Sequence, residues 1–366
     1  MLWRVKSWWW RLRFAVQPMR ERGWSLAAVL LLQVPAAFCW RAWRVLAQRL
    51  DGGRLQHTFN DQRFIAFQDR LVVSALPRFY VIVMPNTLHF LLPCLALLRD
   101  RAQIVLMYNG ARRWERRLLN QRCAGLPGFK LWTLPGASIA HGHVINLLLE
   151  NHRGNFGIID HDCYVLDAAV FEQLSPADDE CLLALFGEAS QSVDYSFPLT
   201  FFLFFNAELL RLLMNRCSVD ARLYRETPAS AQLALQRIGL GPQRFWKSYH
   251  NFRDTLHVLL AVALAEGRKI RFLQTDETLP AVHVGGTSIG THHAKTLPAL
   301  YFHQRFLELV GDPLLSRRYA FLTAPLRSSA EVLARIEPDH QFGPGLATLE
   351  PLLQQLSEHL ATLPRP

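Results

Sequence analysis

The feature that most constrains the fold is an alternation of apolar strands and amphipathic helices in the first half of the chain. Short runs rich in aromatic and β-branched residues predict strands, and the segments between them predict helices. The predicted strands are 79–84, 104–108, 130–134 and 155–159, and the predicted helices are 85–98, 112–121 and 139–151. Strands that alternate with helices form a mainly parallel sheet with right-handed crossovers. The sequence therefore predicts an α/β fold with one crevice at the strand ends.

Two carboxylates follow the fourth predicted strand directly, in Asp160-His161-Asp162. Alternation along an extended chain would point both acids to the same side, at the carboxyl edge of the sheet. Converging carboxylates repel each other unless a cation lies between them, and a divalent ion shared with substrate phosphates is a common solution. A solvated acidic turn is the alternative interpretation, because an isolated D-x-D is common after strands.

Asp254 stands near the start of an apolar helix predicted over 252–265. In a first helical turn a carboxylate is favoured by the positive end of the helix dipole, so helix capping is one interpretation. The other is a general base, which needs an ionised carboxylate within hydrogen-bond reach of an acceptor hydroxyl.

A predicted strand leads into His283 and the glycine pair Gly285-Gly286. A lone histidine here is more often a buried core residue, but beside glycines it becomes a candidate third metal ligand. The glycines would let the backbone approach a ligand closely and offer N–H groups to a phosphate oxygen. Lys295 could neutralise a diphosphate as a point charge, or it could be a solvated surface lysine.

Residues 1–54 differ in composition from the rest of the chain. They carry ten Lys/Arg against two acidic residues, so most of the formal net charge of +10 lies there, together with seven of the ten tryptophans. Tryptophan favours the membrane–water boundary, and basic residues favour anionic headgroups. We therefore expect a membrane-associating amphipathic helical segment, with a transmembrane span or a partner-binding helix as alternatives. Because the charge is confined to this segment, we do not expect nucleic acid as a partner.

Other signals are weaker. The six cysteines are scattered without a C-x-x-C pair, which indicates reduced thiols in a cytosolic compartment. Neither a G-x-G-x-x-G nor a G-K-[ST] loop occurs, so dinucleotide-binding and P-loop chemistry are not expected. The apolar run 197–216 suggests a core helix, the wall of an acceptor pocket or a membrane-facing surface. The predicted units are the anchoring segment 1–54, a catalytic domain over 55–325 and a helical tail over 326–366.

The order of these motifs resembles that of GT-A-fold glycosyltransferases, in particular inverting enzymes of the family 2 type from bacteria. The resemblance extends from Phe79 to Lys295. It rests on Pro85-Asn86-Thr87, Asn109-Gly110, Asp160-His161-Asp162, Arg253-Asp254 and the 283–288 segment. It implies a mainly parallel, twisted GT-A-like sheet flanked by helices.

The resemblance also implies roles for individual residues. Asp162, His283 and, through water, Asp160 would hold Mn²⁺ or Mg²⁺, and Asp254 would be the catalytic base of an inverting transfer. The implied donor-binding residues are Pro85, Asn86, Asn109, Asp160, Gly285, Gly286 and Lys295. The implied reaction moves a sugar from a nucleotide-sugar donor to an acceptor hydroxyl.

The anchoring segment suggests where that reaction takes place. A basic, Trp-rich arm would hold the domain against the cytoplasmic face of the inner membrane, where a glycan or a lipid-linked acceptor of cell-surface or lipopolysaccharide assembly resides. Two alternatives remain open at this point. One is a metal-dependent phosphotransferase or phosphohydrolase, and the other is a non-catalytic, membrane-attached binding module.

Overall fold

The centre of the molecule is a seven-stranded sheet with helices on both faces. It is known from a computed structural model that describes residues 62–71, 74–124, 126, 128–134, 139–189, 195–224, 227–240, 255–275, 281–284, 297–323, 350–351 and 353–358.

The elements of the first half alternate between strand and helix. In chain order they are α1 (Gln62–Asp69), β1 (Arg78–Val83), α2 (Leu88–Leu98), β2 (Gln103–Tyr108), α3 (Arg113–Cys123), β3 (Phe129–Thr133), α4 (His141–Asn151) and β4 (Phe156–Ile159). The four strands and the three helices between them confirm the alternation expected from the sequence, with ends shifted by up to three residues.

The second half is less regular. Its elements are β5 (Cys163–Val165), α5 (Ala169–Glu172), β6 (Glu180–Ala184), β7 (Gly187–Ala189), β8 (Ser196–Pro198), β9 (Phe202–Phe205), α6 (Ala207–Cys217), α7 (Ala229–Arg237), α8 (His257–Ala265), β10 (Lys269–Phe272), β11 (Ala281–His283), α9 (Leu297–Val310) and α10 (Pro313–Thr323). Residues 350–351 and 353–358 are helical as well.

The strand order of the large sheet is β10-β6-β9-β4-β1-β2-β3. Strands β3, β2, β1 and β4 are parallel neighbours, and β10 is parallel to β6, whereas β9 runs antiparallel to both β4 and β6. The mainly parallel α/β sheet flanked by helices is therefore confirmed, with one antiparallel strand near its middle.

Alternate residues of β1 pack into two separate hydrophobic cores, one on each face of the sheet. Phe79, Val81 and Val83 pack on one face with α2, α3, α9 and α10, while Tyr80 and Ile82 pack on the other face with α4, α6, α7 and α8. Burial on both faces explains why these strands are continuous apolar runs in the sequence. The layers hold the sheet edge rigidly, and the loops at that edge carry the candidate site.

Two sequence-based expectations about elements are wrong. The run 197–216 is not one helix, since it contains β8, β9 and α6. A continuous apolar run has no periodicity that separates a buried strand from a buried helix. The helix predicted over 252–265 begins at His257. The φ of +68° at Leu256 is incompatible with a right-handed helix, so the helix starts at the next residue.

The expected membrane anchor at 1–54 lies outside the described residues. Among the helices that the structure does describe, none combines the length and the apolar character needed to cross a bilayer. From the predicted tail 326–366, Leu353 and Leu356 are buried in the same core as α9 and α10.

Candidate active site

The candidate site lies where the direction of the chain through the sheet changes. From β1 the chain moves outward to β2 and β3, then returns to place β4 on the other side of β1. Strands β1 and β4 are parallel and pair Val81 with Ile159, so the loops that follow them leave the same edge side by side. In open α/β sheets this switch point is where ligands bind.

The two acids of the D-x-D converge through a tight turn. The Cys163 N–H donates to the Asp160 carbonyl at 3.1 Å, and the Asp160 N–H donates to the Phe201 carbonyl at 2.9 Å. The Asp162 side chain is almost fully buried, at 4% exposure, whereas that of Asp160 is 28% exposed. The extended alternation expected from the sequence is therefore wrong at this point, since a turn separates β4 from β5.

His283 reaches the acids through a small antiparallel ribbon. Strand β11 pairs with β5 so that His283 is opposite Cys163, and the Val284 N–H donates to the Asp162 carbonyl at 3.1 Å. The His283 Nε2 lies 3.3 Å from Asp162 Oδ1 and 3.8 Å from Asp160 Oδ2. His283 thus meets two acids that lie more than 120 positions earlier in the chain.

An aromatic ring fixes the imidazole from one side. The rings of Phe201 and His283 stack with centroids 4.0 Å apart and planes 15° from parallel. Phe186 packs against the Phe201 ring at 4.9 Å. Phe201 therefore holds His283 through its ring and Asp160 through its carbonyl, although no sequence signal had singled it out.

The electrostatics of the cluster follow from the two carboxylates. Burial would lower the pKa of His283, but its hydrogen bond to Asp162 and the charges of Asp162 and Asp160 outweigh burial and raise that pKa. Burial, reinforced by the same two charges, raises the pKa of the Cys94 and Cys163 thiols well above the usual range. These thiols stay protonated, so a nucleophilic Cys163 is not supported.

The donor set fits a divalent cation. One ligand atom each from Asp160, Asp162 and His283 lies within 4.8 Å of the others. Around a six-coordinate ion with bonds of about 2.1 Å, neighbouring ligand atoms lie about 3 Å apart and opposite ones about 4.2 Å apart. Two carboxylates and an imidazole suit Mn²⁺ or Mg²⁺ in ligand type, with the imidazole favouring a transition metal.

The loop after β1 carries Pro85 and Asn86, both buried at the switch point. Asn86 adopts a φ of +65°, and its side-chain Oδ1 is buried without a hydrogen-bond partner among the described residues. A buried acceptor left unsatisfied costs about 1–3 kcal/mol, so a donor group from a ligand would be favoured there. The role of both residues in donor binding stays a prediction.

Asn109 follows β2 and holds a neighbouring loop. Its Oδ1 accepts the Ile139 N–H at 2.6 Å, and its Nδ2 donates to the Ile139 carbonyl at 2.8 Å. Both polar ends of this buried side chain thus contact the segment before α4. Its predicted contact with a nucleotide is untested, and the contacts observed tie the end of β2 to the segment before α4.

Four predicted site residues lie outside the described residues, namely Asp254, Gly285, Gly286 and Lys295. The residues directly after Asp254 form a turn that is held by hydrogen bonds to neighbouring segments. The Leu256 N–H donates to the Ala221 carbonyl at 3.0 Å, and the Ala221 N–H donates to Asn146 Oδ1 at 2.8 Å. The start of α8 is therefore tied to α4.

Part of the chain matches a known family. Residues 55–210 match the family model described as the StrH glycosyltransferase N-terminal domain. This segment contains β1, β4 and the acids Asp160 and Asp162, and the match indicates a glycosyltransferase-like domain there. His283 and Asp254 lie beyond it. No curated protein matches the chain.

Solved structures to which the chain is distantly similar include glycosyltransferases. The mannosyltransferase PcManGT from Pyrobaculum calidifontis, in complex with GDP-Man and Mn²⁺, is 13% identical over 89% of this chain and 96% of its own, with a TM-score of 0.38. TarS residues 1–349 from S. aureus is 13% identical over 73% of both chains, with a TM-score of 0.33. The bifunctional glycosyltransferase WbbM is 12% identical over 55% of this chain, which spans only 39% of WbbM, with a TM-score of 0.35. Similarities this distant say nothing by themselves about activity.

Proposed function

We propose that the protein is a metal-dependent glycosyltransferase that moves a sugar from a nucleotide-sugar donor to an acceptor hydroxyl. The observation that carries the proposal is the meeting of Asp160, Asp162 and His283 at the switch point of the sheet. The family match over residues 55–210 supports the same class of enzyme independently of that geometry.

In this proposal Asp160, Asp162 and His283 would hold a Mn²⁺ or Mg²⁺ ion beside the donor's diphosphate. When bound, the ion supplies positive charge that stabilises the diphosphate leaving group. Asp162 is the more buried ligand, and Asp160 is open enough to contact the ribose or sugar as well. Gly285, Gly286 and Lys295 add backbone N–H groups and a positive charge for the diphosphate.

Asp254 is the proposed catalytic base. It accepts the proton of the acceptor hydroxyl as the oxygen attacks the anomeric carbon from the face opposite the leaving group, which inverts that centre. A positioned base contributes about 10²–10⁴ in rate. Pro85, Asn86 and Asn109 are proposed to line the nucleotide side of the crevice.

The acceptor is proposed to be a glycan or lipid-linked glycan at the cytoplasmic face of the inner membrane. This proposal is motivated by the basic, Trp-rich residues 1–54. In a flotation assay, deleting them should move the protein from the vesicle fraction at the top of the gradient to the bottom. A truncated protein that still floats with vesicles of anionic phospholipid would place the anchor elsewhere.

The direct test of the activity is release of a nucleoside diphosphate from a panel of nucleotide sugars. We expect release from at least one donor in the presence of Mn²⁺ or Mg²⁺, and none when EDTA is added or when Asp162 is replaced by Asn. Release of inorganic phosphate instead would favour a phosphohydrolase. Binding of a nucleotide sugar without turnover, across a range of acceptors, would favour a binding module.

A further inference from the structure

Glu115 is a fully buried carboxylate close to the proposed donor site. It lies in the first turn of α3 and has 0% exposure. Its Oε1 accepts the Asn86 N–H at 2.7 Å and the Tyr319 hydroxyl at 2.6 Å, and its Oε2 accepts the Arg112 N–H at 2.6 Å. A buried carboxylate is costly unless it is hydrogen-bonded in this way, so the three donors explain its burial.

Two of the three donors belong to loops at the carboxyl edge of the sheet. Asn86 lies in the loop after β1, and Arg112 lies at the end of the loop after β2. At Asn86 the backbone has a φ of +65°, a left-handed conformation that is unfavourable for a non-glycine residue. The hydrogen bond to Glu115 offsets that cost and keeps the Asn86 side chain at the switch point.

The third donor comes from a distant part of the chain. Tyr319 belongs to α10, beyond the segment that matches the family model. Burial, followed by the negative charge of Glu115, raises the pKa of Tyr319 above its usual range, so the hydroxyl stays protonated and donates. The ring also packs against Trp114 of α3 at 5.2 Å and against His89 of α2 at 5.1 Å.

We propose that Glu115, held by Tyr319, is a positioning residue for the nucleotide part of the donor, because its one carboxylate sets the shape of both loops that the nucleotide would contact. This inference rests on the proposed function. It makes the α9–α10 unit part of the donor site without direct contact between that unit and the donor.

The test uses two variants with graded effects. Glu115→Gln keeps the shape of the side chain but turns an N–H₂ group toward one of the N–H donors. We expect nucleotide affinity to fall at least about tenfold, since a buried hydrogen bond to a charged group is lost and a repulsive contact replaces it. Tyr319→Phe removes only the hydroxyl, and we expect a fall of about threefold. Isothermal titration with UDP, GDP and dTDP in saturating Mn²⁺ measures both.

Tyr301→Phe is a matched control. Tyr301 on α9 is 1% exposed as a residue, and its hydroxyl donates at 2.7 Å to Oε1 of Glu350, whose side chain is 51% exposed. Tyr301→Phe should cost no more thermal stability than Tyr319→Phe, and it should leave nucleotide affinity unchanged. Titration of Mn²⁺ alone should give wild-type affinity in all three variants, because none of them touches the acids or His283.

The outcomes separate the two proposals. If the wild-type protein binds none of the nucleotides, both the proposed function and this inference are wrong. If the wild-type protein binds one and folded Glu115→Gln binds it equally well, only the inference is overturned. Should Glu115→Gln fail to fold, the comparison of Tyr319→Phe with Tyr301→Phe decides, and equal affinities in those two variants would overturn the inference.

Discussion

Two groups of carboxylates occupy the same edge of the sheet, and they are built in opposite ways. Glu115 is closed off from solvent, and its oxygens accept hydrogen bonds from two backbone N–H groups and a tyrosine hydroxyl. Asp160 and Asp162 instead converge on each other and on His283, and the Asp160 side chain remains 28% exposed. The hydrogen-bond donors around Glu115 hold two loops in place. Asp160 and Asp162, whose oxygens converge, would attract a cation. We propose that the first arrangement shapes the donor site and that the second supplies its chemistry.

The largest expected effect comes from the converging pair. Asp162→Asn keeps the shape of the side chain but removes a charge, so we expect Mn²⁺ affinity to fall at least about 100-fold and sugar transfer to be lost. Asp179→Asn is the control, because the Asp179 carboxylate forms an exposed ion pair with Lys269. Wild-type Mn²⁺ binding by Asp162→Asn would remove the functional distinction between the two groups of acids.

Asp254→Asn should separate catalysis from binding. If Asp254 is the base, kcat should fall by about 10²–10⁴, while Mn²⁺ and nucleotide affinities stay at wild-type values. Steady-state kinetics and titration of the same preparation measure the two quantities. A variant that retains near-full kcat would show that Asp254 is not the base.

A smaller effect is expected at Phe201, which holds His283 by stacking. Phe201→Leu should weaken Mn²⁺ binding by about tenfold, because residues that orient metal ligands typically affect affinity by about 10–100-fold. Phe201→Tyr keeps a stacking ring and should restore most of the affinity. Equal losses in both variants would mean that ring stacking does not orient the imidazole.

The smallest effect at neutral pH concerns His152, whose surroundings contrast with those of His283. Burial lowers the pKa of His152 to about 4. The charges of Arg78 and Arg211 also lower this pKa, whereas the hydrogen bond with the Gly154 carbonyl raises it. In the unfolded chain the histidine pKa is about 6.5, so as pH falls the unfolded state binds the proton before the folded state does. The contribution of His152 to the free energy of unfolding is therefore complete above about pH 6.5 and is lost toward pH 4.

The loss should amount to about 3 kcal/mol in the free energy of unfolding, measured by urea titration across that range. His152→Gln removes the titrating group and should be less sensitive to acid than the wild type over the same interval. An unchanged pH dependence in His152→Gln would assign the acid sensitivity to other groups.

The sequence predicted the first half of the fold well because its signals are local. Strands β1 to β4 are apolar runs bounded by Pro, Asn, Gly or Asp, and the helices between them have ordinary length. It failed at β9, where Phe202–Phe205 lies within a longer apolar run and is buried on both faces of the sheet. Alternation did not mark that strand, and Asn206 at its end is the N-cap of the helix that follows directly.

In the candidate site, too, residues with a local sequence signal could be predicted, whereas residues defined by long-range contacts could not. Asp160, Asp162 and His283 could be proposed from the sequence because the acids directly follow a predicted strand and the histidine precedes a glycine pair. Glu115 follows Arg112 at the spacing of a capping box, but Arg is not a typical N-cap residue, so that signal was weak. Phe201 and Tyr319 act through contacts with residues distant in sequence, which no local pattern encodes.

Pulsed EPR of the Mn²⁺-loaded protein tests the central claim most directly. We predict one ion per chain with hyperfine coupling to a histidine nitrogen, and we predict that the coupling disappears in His283→Gln while Asp162→Asn loses the bound ion. Mn²⁺ that binds without nitrogen coupling, or with equal affinity in Asp162→Asn, would show that these three side chains do not form a metal site.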